Sequence, residues 1–181
     1  MDFFTTEVLT LQGLLTYCVL FFMHLETRRV SRVGLTPYPD QEWMEQQARN
    51  LTMEQWGCLS GCRYLLHDRD TKFCESFREL SESGSVKRFA CRQEPEFELV
   101  CRTLVRSVKE ECLTKLILVG ELSLRRALHQ YLLHYHEERN HQGKENRILF
   151  PFQTKARRKE GAVRCRERLG GLLKYYEREA A

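Results

Sequence analysis

The chain has little of what marks a fibrous, disordered or secreted protein. Its 181 residues hold only 4 Pro and 10 Gly, too few for a collagen-like or low-complexity chain. An apolar share of 42% is also too high for a disordered one. No basic segment leads into an apolar run at Met1-Asp2, so no secretory signal is expected. Charge of one sign is scarce as well: 30% of the residues are charged, yet the net is only +4. That total does not announce a nucleic-acid binder, so the distribution of charge has to carry any such reading.

Cysteine is plentiful but unpatterned. Cys18, Cys58, Cys62, Cys74, Cys91, Cys101, Cys112 and Cys165 are scattered, which reads as a reduced, cytoplasmic protein rather than a disulfide framework. Cys58 and Cys62 lack the second pair that a structural zinc site needs. The most apolar stretch, Val8 to Leu25, is broken at Gln12-Gly13, contains His24 and is rich in β-branched and aromatic residues. Two buried neighbouring strands account for it better than a membrane span, and no membrane partner is expected.

Patterning along the chain predicts strands over Asp2 to Val8, Leu14 to His24 and Arg28 to Thr36. A helix over Glu42 to Asn50 follows, capped by Asp40. A strand over Arg63 to His67, a helix over Phe73 to Leu80 and a strand over Val86 to Ala90 complete the order βββαβαβ. Helices come next. Leu104, Val108, Cys112 and Leu116 recur every fourth residue, and Leu124, Ala127, Leu128, Tyr131, Leu132 and Tyr135 keep helical spacing behind Ser123 as a cap. Phe150-Pro151 marks a boundary. Beyond it, Lys155 to Arg168 holds seven basic residues against Glu160 and Glu167, a net +5 in a stretch read as helical. A solvated helix face and a phosphate-contacting surface both fit that charge.

Several phrases share a pattern: Asp2-Phe3-Phe4-Thr5, Glu26-Thr27-Arg28-Arg29-Val30, His67-Asp68-Arg69-Asp70-Thr71-Lys72-Phe73, Val105-Arg106-Ser107-Val108-Lys109-Glu110-Glu111-Cys112 and His134-Tyr135-His136-Glu137-Glu138-Arg139-Asn140-His141. Together they resemble the integrase catalytic core shared by retroviral integrases and the DDE transposases of bacterial insertion sequences, over nearly the whole chain. The resemblance implies an α/β, ribonuclease-H-like fold, a five-stranded mixed sheet flanked by helices. It divides the chain into a core over 1–150 and a basic helical C-terminal tail over 151–181. It also implies two Asp and one Glu holding two Mg2+ (or Mn2+) ions for phosphoryl transfer on DNA. Hard divalent ions favour carboxylate oxygens, and a metal pair can serve both the attacking and the leaving oxygen.

By that resemblance Asp2 and Asp68 are the first two catalytic and metal-binding acids, and Asp70 is a turn residue. The third acid is missing. Counting back four positions from Arg106 lands on Arg102. The loop and helix motif expected around it is replaced by Arg92-Gln93-Glu94-Pro95-Glu96-Phe97-Glu98 and the residues that follow. Cys91 to Leu104 can be back-translated so that a one-nucleotide shift reads A-A-R-S-P-N-L-N-S-Y-A-E-R, the missing motif, which suggests a local frameshift. A cation at Arg102 would repel the metals, so the expectation is an inactive core or a non-catalytic remnant that retains DNA binding or subunit association. Glu98, one turn earlier, is the candidate substitute acid.

DNA contact is expected from Lys109, Lys155, Arg157, Arg158, Lys159 and Arg164, with DNA and copies of the chain, or other transposase subunits, as partners. Relatives also carry residues ahead of the first strand and an upstream helix-turn-helix, so a truncated core is expected. His134, His136 and His141 read as helix-end packing and capping rather than a metal cluster.

Overall fold

The computed structural model describes residues 1–53, 59, 62, 64–67, 70–82, 87–90, 95–151 and 162–178. Asp68, Cys58, Cys91, Lys155, Arg157, Arg158 and Lys159 lie outside the described residues. The chain begins with an antiparallel meander, β1 (Asp2–Thr10), β2 (Gly13–Met23) and β3 (Val30–Thr36). Asp2 stands opposite Phe21 and Val19 opposite Leu35. The turn between β1 and β2 falls where the apolar run breaks, and Gly13 supplies the φ of +108° that a Cβ would disfavour.

Helix α1 (Gln41–Thr52) begins on its expected cap, with the Trp43 amide donating to Asp40 Oδ1 at 2.8 Å. Strand β4 (Tyr64–His67), α2 (Glu75–Glu82) and β5 (Lys87–Ala90) follow, and β4 and β5 pair in parallel. The βββαβαβ order is as the pattern reads. Then come α3 (Pro95–Glu111) and α4 (Gly120–Glu137).

Strand β2 explains why the run from Val8 onward is apolar without alternation. Val19, Phe21 and Met23 face a core shared with Cys101, Leu104 and Val108 of α3 and Leu124, Leu128 and Tyr131 of α4. Leu20 and Phe22 face a second core built from Met44, Ala48 and Leu51 of α1 and Phe77 of α2. A strand covered on both faces has no polar side to show. The sheet therefore lies between two helical layers.

Four expectations need correction. Instead of one five-stranded sheet, the first five strands form, among the described residues, a three-stranded ladder and a separate parallel β4·β5 pair. The Met1 nitrogen donates to Leu66 O across them at 2.8 Å. Helix α3 ends at Glu111, and Leu116 lies past a short 3-10 turn over Leu113–Lys115. Ser123 does not cap α4: the helix starts at Gly120 straight out of a bridge between Leu9 and Val119, and Ser123 Oγ donates back to Gly120 O at 2.8 Å.

The described part of the tail is not helical. A short ribbon of β6 (Asn140–His141) and β7 (Arg147–Ile148) precedes an antiparallel hairpin of β8 (Val163–Arg168) and β9 (Leu173–Arg178). Leu169, Gly170 and Gly171 all take positive φ in its turn, which no helix tolerates in succession.

Candidate functional site

Position and backbone pairing, rather than an assembled set of side chains, define the site at the start of β1. Through the Met1–Leu66 bond, the first residues of β1 run beside the end of β4. Asp2 opens β1, and Asp68 follows directly on His67, the last residue of β4. The Asp2 carboxylate accepts from the Phe3 amide at 2.8 Å, so part of its hydrogen-bonding capacity is used locally. His67 is buried and packs against Phe73 with ring centroids 4.5 Å apart and the rings tilted by 43°.

Asp70 is a turn residue, as read. Its carboxylate accepts from the Lys72 amide at 2.9 Å and the Lys72 ammonium at 2.7 Å. Burial opposes ionisation there, but the bonds and charge of Lys72 outweigh it and hold the carboxyl below its usual range. Lys72 Nζ also lies 5.4 Å from the centre of the Phe3 ring, which brings a cation to the strand end that carries Asp2.

Helix α3 contributes more positive charge. Lys109, expected to meet DNA, is half-buried, with its Nζ 5.7 Å from the centre of the Phe4 ring. Arg106 is exposed and paired with Glu110 at 2.9 Å. From Lys109 over Phe4 the chain advances to Leu118, whose carbonyl accepts from the Leu9 amide at 2.9 Å. The earlier turns of α3 therefore point back toward the start of β1. Arg102 precedes Lys109 by about two turns of α3, roughly 10 Å along the helix at a rise of about 1.5 Å per residue. It is exposed. Glu98 sits one turn before Arg102 in the same helix.

This donor set does not fit a two-metal centre. Among the described residues no group of three His, Cys, Asp or Glu side chains converges. The third acidic position implied by the resemblance carries a guanidinium, which cannot lose its charge in a protein.

The three histidines have other partners. His136 Nε2 accepts from the Val30 amide at 3.0 Å, which requires a neutral ring; burial, Arg29 and His141 together push its pKa down to about 4. His141 Nε2 bonds Tyr135 O at 2.7 Å. His134 Nδ1 meets Glu138 at 3.0 Å. Glu138, only 4% exposed, carries no motif that marks it in the sequence; Arg168 of β8 also binds it through two nitrogens. Arg164 stands exposed on β8.

No family model matches the sequence, and no curated protein matches it. The fold is similar to that of the HTLV-2 integrase catalytic core domain, solved in complex with magnesium in a trimeric form. The TM-score is 0.51 and the identity 13%, with 82% of this chain and 90% of that one covered. The two chains thus share the fold of an integrase core. No helix among the described residues is long and apolar enough to cross a membrane.

Proposed function

We propose that this chain is a transposase/integrase-type catalytic core, related to those that serve DNA integration, that binds DNA without carrying out phosphoryl transfer. The observation that carries the reading is the Met1–Leu66 bond, which sets Asp2 beside the strand that ends one residue before Asp68. Two acids on adjacent strands are what an integrase-like sheet offers a Mg2+ or Mn2+ ion, and magnesium is present in the HTLV-2 core of similar fold. The bound ion would supply charge neutralisation at a phosphate. Here Asp2 and Asp68 supply two carboxylates, and Arg102 supplies repulsion in place of the third, so no two-ion step follows from this chain's residues.

DNA is the proposed partner. Lys155, Arg157, Arg158, Lys159 and Arg164 supply the sequence's strongest concentration of positive charge. Further copies of the chain, or other transposase subunits, and a cytoplasmic location fit the same reading. A strand-transfer assay on oligonucleotide element ends with Mg2+ tests it. The expected result is retained DNA binding with no joined product. Joined product that Asp68→Asn abolishes would show an active enzyme and end the proposal.

A further inference from the structure

The β8–β9 hairpin is sided. Along β9, Leu173 is buried and Tyr175 and Glu177 are half-buried, while Lys174, Tyr176 and Arg178 between them are exposed. Register places Glu167, Cys165 and Val163 opposite these three, so the outward face has one aromatic ring with a cation two residues away on either side. Tyr176 is 62% exposed, and its cross-strand neighbour is the short, exposed Cys165. Lys174 is raised in pKa mainly by its bond to Glu167 and further by Tyr176 and Cys165.

The inward face spends its charge internally. Arg168 binds Glu138 and Gln130, and Arg166 binds Glu177 at 2.9 Å. The Arg168 bonds fix the hairpin at the end of α4, and the Arg166 bond ties its two strands together. On the outward face the Lys174–Glu167 contact is 3.4 Å between side chains about half exposed, a surface pair that contributes little to stability. Ala162 to Arg178 carries five basic and two acidic residues, net +3.

We propose that the outward row Lys174, Tyr176 and Arg178 is a binding strip for a single strand of DNA, with a base stacked on Tyr176 and flanking phosphates held by the two cations. Alternate residues of a strand lie about 6.7 Å apart, so the three side chains form a short linear track. Aromatic stacking between cations suits unpaired bases, whose faces are open; in a duplex those faces are covered. The strip rests on the reading of the chain as a DNA-binding integrase-type core, and it adds a contact on the outward side of β9 to the basic run.

Fluorescence anisotropy with a labelled oligothymidylate, and with a duplex of equal length, tests the strip on the full chain. Tyr176→Ala should weaken single-strand binding about tenfold and leave duplex binding nearly unchanged. Tyr176→Phe should bind as the parent does. Lys174→Gln with Arg178→Gln should reduce the single-strand salt slope by about 1.4. Circular dichroism checks that each variant is folded, and the charge variants keep the test open if Tyr176→Ala is not. Unchanged single-strand affinity in Tyr176→Ala, or an equal loss in Tyr176→Phe, overturns the strip while duplex binding by the parent leaves the DNA reading standing. Failure of the parent to bind either DNA overturns both.

Discussion

The Arg168 guanidinium grips the buried Glu138 carboxylate at both oxygens, Nε to Oε2 at 2.9 Å and Nη2 to Oε1 at 2.7 Å, and so ties the C-terminal hairpin to α4. Removing Arg168 would leave Glu138 charged, buried and short of partners. Arg168→Ala should therefore destabilise the protein by about 3 kcal/mol in urea unfolding. The double change Arg168→Met with Glu138→Leu should recover most of that loss, because a well-packed apolar pair carries no desolvation penalty. If the double variant is as unstable as the single one, the buried charge is not the cause.

Acid should weaken the protein in two stages. The His136 ring is held down to about 4 by burial and by Arg29 and His141, against an ordinary 6.5. Between those values the unfolded chain takes up a proton that the folded chain refuses, so stability falls as pH drops through that window. Although burial opposes its ionisation, Glu138 is lowered from 4.5 by Arg168 and His134; its contribution is complete above the ordinary value and is lost as pH falls through the depressed one. His136→Gln, whose amide oxygen can still accept from Val30, should flatten the first stage. Urea midpoints measured from neutral pH down to pH 4 read this directly, and parallel curves for parent and variant would refute it.

Gly34 on β3 should not tolerate a methyl group. A Cβ there would lie 2.9 Å from Trp43 Cζ2 and 3.1 Å from Gln47 Oε1, so the Trp43 ring packed on the sheet would have to shift. Gly34→Ala should cost about 1–3 kcal/mol. A urea midpoint equal to the parent's would show that Trp43 yields freely.

Local signals made the first half of the fold legible. The Gln12-Gly13 break, the Asp40 cap and the doubly covered β2 all have causes within a few residues of themselves. The start of α4 was not legible, because the Leu9–Val119 bridge that delivers the chain to Gly120 joins residues distant in sequence. The hairpin could have been read: Arg164, Arg166 and Arg168 alternate with Cys165 and Glu167, and Gly170-Gly171 leads into Leu173-Lys174-Tyr175-Tyr176. Counting charge as a block hid its period of two. At the site, the turn role of Asp70 was legible from motif. The placing of Lys109 over Phe4 and the clasp on Glu138 depend on packing that spacing does not encode.

Titration with Mn2+ by calorimetry tests most directly whether Arg102 stands in the third acidic position of an integrase-type site with Asp2. The parent should bind weakly, and Arg102→Glu, which replaces a cation with a carboxylate, should bind about tenfold more tightly or better. Adding Asp2→Asn to that variant should cancel the gain. An unchanged affinity in Arg102→Glu, or a gain that survives Asp2→Asn, would contradict the account.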